Sequence, residues 1–343
     1  MTYLNIQALR GIAALMVVVY HARPHFSAMG LSNPIYESIA NFGFIGVDIF
    51  FVISGFVMAK TTVDKKPSIN ALTKHLYKRF SRIFLGFWPI FILALLYYQN
   101  LNPVYLEKKE IVQSFFLINA NMFDLVITPA WSLTYELYFY LLVALLLLPI
   151  KIKPITFFAV LALVVIVKNI LIKLGENKYA DFFLSSLLFE FFSGYFLYTL
   201  INTICKGRSI IYVLLIGITA MAVGIYLNIA YGYLRVLTFG VFAFSLVYIF
   251  VSLEKNDYFI IKGFLKKIGD SSYTLYLTHT VLLGAFYTLG LRDYFVKNNI
   301  ALSGFIFYII LIIGFSYIFY KTIELPLYNL SKRFVGVFSK KKN

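Results

Sequence analysis

The sequence predicts an all-α integral membrane protein, a polytopic bundle of about ten transmembrane helices, and three observations carry that prediction. Hydrophobic residues make up 61% of the 343 and charged residues 13%, against roughly 25% charged in an average soluble domain. Mean hydropathy is +0.82. The apolar residues fall into runs of roughly 17 to 22, each long enough to cross a ~30 Å hydrocarbon core as a helix.

The runs predict spans near 5–22, 40–59, 83–99, 131–149, 154–174, 182–203, 209–229, 234–252, 272–290 and 300–320. The first contains the apolar stretch Leu9 to Tyr20, which lacks a small-residue cleavage site and is followed at once by a second span. It therefore reads as a membrane helix and not as a signal peptide. With the N-terminus inside, the cytoplasmic segments 60–82, 151–153, 206–208, 254–270 and 321–343 hold 21 Lys and Arg, and the outer segments hold seven. That bias places both termini on the cytoplasmic side and needs an even number of spans. The net charge of +16 is thus assigned to orientation and anionic lipid, with no nucleic-acid partner. Residues 100–130 form an outer loop in which Ile111 to Ile118 reads as an interfacial or re-entrant helix. No internal repeat is evident, so the chain reads as one transmembrane domain, 1–343, closing on a short basic tail, 321–343.

Cys205 stands alone, which excludes an intramolecular disulfide and a Cys-built metal site. The four histidines lack ligand spacing, so no metal is expected. His21 and His25 are four apart, but Pro24 is expected to break the helix between them.

Charged side chains inside a span are costly in hydrocarbon and mark candidate functional positions. The notable ones are Arg10, Asp48, Glu136, Glu190 and His279, with His21 at an outer helix end, while Lys168 and Arg235 lie in or at the edge of spans. Arg10 and His21 are eleven positions apart, about three turns plus ~20°, so they share a helical face at two depths about 16 Å apart. The pair reads either as a snorkelling Arg with an interfacial His, or as two parts of one site. Asp48 reads as a counter-ion to Arg10 or His21, or as a catalytic carboxylate; Glu136 has the same two readings. Arg79 and Arg82, at i and i+3 on one face at the mouth of the third helix, suit phosphate, although the pair alone reads first as an ordinary positive-inside cluster.

Seven motifs in order carry a resemblance. They are LRGIAALMVVVYH with Arg10 and His21, FFVISGF at 50–56, the Arg79 and Arg82 pair, WSLTYELYFY at 131–140, FEFFSGY at 189–195, IGDSSYTLYLTH at 268–279, and IELP with Glu324 and Pro326. Together they resemble the acyltransferase-3 family of bacterial integral membrane acyltransferases, which includes O-antigen and exopolysaccharide O-acetylases. The resemblance covers essentially the whole chain. It departs at Thr278, where the family often has Trp, and the chain is read as lacking the C-terminal esterase-like domain of some relatives.

The resemblance implies a multi-pass enzyme of the bacterial cytoplasmic (inner) membrane that takes an acyl group, usually acetyl from acetyl-CoA, to a hydroxyl of a carbohydrate or glycolipid acceptor in the envelope. It implies donor binding by Arg10, Arg79 and Arg82. His21 would act where the acceptor arrives, with Asp48 or Glu136 orienting it and His279 completing the site or carrying a proton. Direct attack and an acyl-His21 intermediate both fit. A transporter or flippase using the same charges as a relay is the rival reading, and a lipid-contacting scaffold is a third.

Overall fold

The computed structural model describes residues 3–150, 152–171, 178–204, 209–229 and 232–340. Cys205, Lys151, Lys173 and the inner segment 206–208 lie outside the described residues. The described residues contain no strand. Among the described residues, the helices that overlap the apolar runs are α1 (Leu4–Ala28), α2 (Ile45–Thr62), α3 (Ile69–Leu101), α4 (Trp131–Leu145), α5 (Pro154–Leu171), α6 (Leu188–Ile204), α7 (Ser209–Tyr226), α8 (Val241–Lys255), α9 (Ser272–Thr288) and α10 (Ala301–Phe319). Seven helical segments among the described residues are long and apolar enough to cross a membrane. The run of α9 with Leu291–Lys297, bent by 56°, adds an eighth if the bent pair is counted as one span.

Side-chain distribution follows the solvent each helix meets. α7 keeps most of its apolar surface outward, with Ile211, Leu215, Ile216 and Ile218 exposed, as hydrocarbon rewards an apolar exterior. α2 is apolar all round and buried nearly throughout, including Asp48.

Three boundaries differ from expectation. α1 runs through Pro24 to Ala28; the ring removes one donor near the end of the helix, and a single further turn tolerates that loss. α3 begins at Ile69, so Arg79 and Arg82 sit inside a long helix and not at its mouth. α10 continues without a break through a π-helical turn, Tyr320–Glu324, into Leu325–Lys340. Glu324, expected beyond the last span, is therefore buried within a helical run.

The chain packs as two compact units. One comprises Met1–Arg10, Ile45–Tyr77 and Tyr135–Lys266; the other comprises Gly11–Phe44, Lys78–Thr134 and Lys267–Asn343.

In the first unit α2 crosses α6 at two glycines. A Cβ on Gly55 would lie 2.0 Å from the Phe191 carbonyl oxygen, and one on Gly194 1.9 Å from that of Val52, so only hydrogen fits, as in close-packed membrane helices. The start of α1 is held by Glu254, which accepts from the Leu4 and Asn5 backbone N–H groups at 2.8 and 2.7 Å, satisfying donors that a helix start leaves open.

In the second unit the stretch between α3 and α4 folds as short helices Pro103–Glu107 and Ile111–Phe116. The latter packs well inside the length of α3, where the Trp88 indole N–H donates to the Phe115 carbonyl at 3.2 Å and the two rings stack. The helix Pro34–Asn41 starts with the Asn33 side chain accepting from Tyr36 N at 2.9 Å and Pro34 at its first position, a sequence-encoded start.

Candidate active site

The second unit brings together two histidines predicted separately. His21, near the end of α1, and His279, in α9, have ring centroids 4.9 Å apart, and His279 Nε2 lies 3.1 Å from His21 Nδ1. Each ring is anchored by a carbonyl one turn earlier on its own helix: His279 Nδ1 meets Leu275 O at 3.1 Å and His21 Nδ1 meets Val17 O at 3.0 Å.

A carbonyl can only accept, so His279 carries its proton on Nδ1 and offers a lone pair at Nε2. His21 Nδ1–H then faces two acceptors, Val17 O and His279 Nε2. This assignment satisfies every contact with both rings neutral. It also leaves His21 Nε2 as a lone pair with no hydrogen-bond partner among the described residues. His279 is fully buried and His21 half-buried, so the outer ring is the one a second molecule can reach. Protonation at Nε2 would give an imidazolium whose other N–H is already oriented toward two acceptors.

Around the pair, the Tyr276 ring lies 6.0 Å from that of His279, and its hydroxyl reaches Ser132 Oγ at 2.9 Å and Pro129 O at 3.1 Å. Thr278, where the resembled family often carries Trp, donates to Thr274 O and meets Ser316 Oγ, both at 2.9 Å. The smaller side chain allows α9 and α10 a hydrogen bond at that point.

The same unit holds the arginine pair. Arg82 Nη1 donates to Glu324 Oε1 at 2.7 Å, and Thr274 Oγ1 donates to the other oxygen of Glu324. The guanidinium lies 5.1 Å from the Tyr328 ring centre and 5.6 Å from that of Tyr273. Arg79 lies one turn earlier on α3, half-buried.

The first unit holds the other site candidates. Asp48 is fully buried, and its oxygens accept from Arg235 Nε at 2.9 Å and Nη2 at 2.8 Å. Its counter-ion is thus Arg235, and not the expected Arg10 or His21. Glu136 accepts from Ser54 Oγ at 2.8 Å and from the Tyr140 hydroxyl. Glu190 is buried with neither oxygen hydrogen-bonded among the described residues, and Gly240 makes room for it: a Cβ there would stand 3.1 Å from Glu190 Oε1. Arg10 Nη1 reaches Gln7 Oε1 at 3.4 Å.

Two partners were missed in the sequence. Arg235 was seen only as a charge at a span edge, and Glu324 only as part of a motif. Among the described residues no three His, Cys, Asp or Glu side chains come together to hold a metal ion.

Comparison with known proteins decides the family. Residues 3–321 match the family model described as an acyltransferase domain, acyltransferase-3. This chain belongs to the acyltransferase-3 family. As a member it carries an acyltransferase domain, and its apolar helices make it a multi-pass membrane protein. One curated relative is the peptidoglycan O-acetyltransferase OatA of Listeria monocytogenes serovar 1/2a, 29% identical over 156 residues. That match covers 40% of this chain and only 23% of the relative's length. No solved structure matches the chain.

Proposed function

We propose that this acyltransferase moves an acyl group, acetyl from acetyl-CoA, onto a hydroxyl of a cell-envelope polysaccharide or its lipid-linked precursor. The observation that carries the reading is the His21–His279 pair, a neutral imidazole oriented through Nδ1 with its Nε2 lone pair open. The likeness to a peptidoglycan O-acetyltransferase supports oxygen as the receiving atom.

An acceptor hydroxyl attacks the thioester carbonyl as His21 Nε2 takes its proton. The tetrahedral intermediate collapses with cleavage of the C–S bond, and the proton passes from His21 to the departing thiolate. Products are the ester and free CoA. His279 acts by holding the His21 tautomer and stabilising its protonated form, the part a buried carboxylate plays in hydrolytic triads.

Arg79 and Arg82 receive the nucleotide phosphates of the donor, and Arg10 the pantetheine arm near the thioester. Asp48 and Glu136, taken from the resemblance as candidate carboxylates, are hydrogen-bonded inside the first unit, which supports positioning roles. The charge bias of the loops supports cytoplasmic termini and donor entry from the inner face of the cytoplasmic membrane.

The test is NMR of envelope polysaccharide from cells with the gene, without it, and with a His21→Ala protein that still inserts. O-acetyl signals should vanish in the second and third. Unchanged signals in the deletion strain would remove the polysaccharide assignment, and unchanged signals with His21→Ala would remove the mechanism.

A further inference from the structure

An arginine serves a ligand only if some of its five N–H donors are left over, and the edge formed by Nε and Nη2 is the one that grips an oxyanion with two parallel bonds. Arg235 has that edge filled by Asp48. Arg82 does not: Glu324 takes Nη1 alone, and Nε and Nη2 have no hydrogen-bond partner among the described residues. The Arg82 side chain is 22% exposed while Glu324 is 1% exposed, so the carboxylate is the inner, fixed member of the pair.

Glu324 is itself fixed. Thr274 donates to its second oxygen, and the residue closes the π-helical turn Tyr320–Glu324, an irregularity that often marks functional positions in helices. Tyr273 donates through its hydroxyl to Ile83 O at 2.7 Å. Gly86 leaves space for that ring, since a Cβ there would stand 2.6 Å from Tyr273 Cε1. The guanidinium is thus held at Nη1 and flanked by Tyr273 and Tyr328.

We infer that Glu324 is a positioning residue of the acyl-donor site, turning Arg82 so that its Nε/Nη2 edge is presented to a phosphate of the incoming donor. This rests on the acetyl-CoA reading above. Phosphate on a lipid headgroup has the same chemistry as phosphate on the donor, so the test must separate the two.

The experiment uses full-length enzyme in phospholipid-free detergent with two donors, acetyl-CoA and S-acetylpantetheine, the second lacking the nucleotide phosphates. Glu324→Gln should raise the KM for acetyl-CoA about tenfold with kcat within about twofold, the size of one charge-assisted contact. It should leave the KM for S-acetylpantetheine unchanged, and Glu324→Asp should recover most of the loss. An equal KM change for both donors, or a fall in kcat alone, overturns the inference, as does an unchanged KM for acetyl-CoA; a lipid-phosphate site gives that last result. Should Glu324→Gln fail to fold, Thr274→Val removes the support of Glu324 and is held to the same two-donor criterion. Wild-type enzyme that consumes neither donor overturns the acetyl-CoA reading itself and this inference with it.

Discussion

Two arginine–carboxylate pairs, one in each unit, use the same residue types to opposite ends. In Arg235–Asp48 both carboxylate oxygens and the two-donor edge of the guanidinium face each other, and nothing of the fork is left for a ligand. In Arg82–Glu324 the carboxylate holds one nitrogen and turns its other oxygen to Thr274, so the edge remains open. A saturated pair can only hold helices together; a half-satisfied one can also recognise. The contrast extends to the neighbours: Glu136 is bonded to Ser54 and Tyr140 in the first unit, whereas His21 keeps a lone pair exposed in the second.

Lesions at His21 and Arg82 in the second unit should therefore strike turnover, and those at the hydrogen-bonded carboxylates of the first should strike folding. The largest effect is expected at His21: His21→Ala should lower acyl transfer about a thousandfold, the range of a lost general base, with an unaltered unfolding midpoint in detergent. A mutant that transfers normally would break the comparison on its functional side. Asp48→Ala strands a buried guanidinium and should destabilise by about 3–5 kcal/mol, read as poor recovery and early thermal unfolding. A well-folded but inactive Asp48→Ala protein would move Asp48 into the chemistry and erase the contrast. Gly194→Ala should destabilise by about 1–3 kcal/mol through overpacking against the Val52 carbonyl, with the KM for the donor unchanged. Ser54→Ala should be mildest, about 1 kcal/mol for one hydrogen bond to Glu136; a strong loss of kcat there would sharpen the picture by giving Glu136 more than a positioning role.

The fold class was legible in the sequence because lipid imposes a long, simple signal: apolar runs became helices, and seven or eight of those among the described residues are long and apolar enough to cross a membrane. The candidates were legible for the same reason, since a charge in an apolar run stands out. Their pairing was not. Asp48 and Arg235 are 187 positions apart, and nothing local says that they meet. The two histidines were both singled out, but the 3.1 Å contact and the tautomers it fixes depend on how α1 and α9 pack. Glu324 was lost for a local reason: hydropathy falls at Tyr320 and Lys321, and the run was ended there although the backbone hydrogen bonding continues as a π turn. Pro24 misled similarly, because a proline signals a break in an isolated helix more strongly than in the last turns of a packed one.

The π turn Val236–Gly240, which begins directly after Arg235, has a consequence for insertions and deletions. A π turn accommodates one residue more than a regular helix would. In a regular stretch one residue more or less swings everything beyond it by about 100° around the axis; the π turn absorbs the extra residue, so the helix on each side keeps its facing and Arg235 meets Asp48. The turn Tyr320–Glu324 does the same for the run that carries Glu324. A one-residue deletion at either turn should therefore be tolerated better than one in a regular stretch of the same helix.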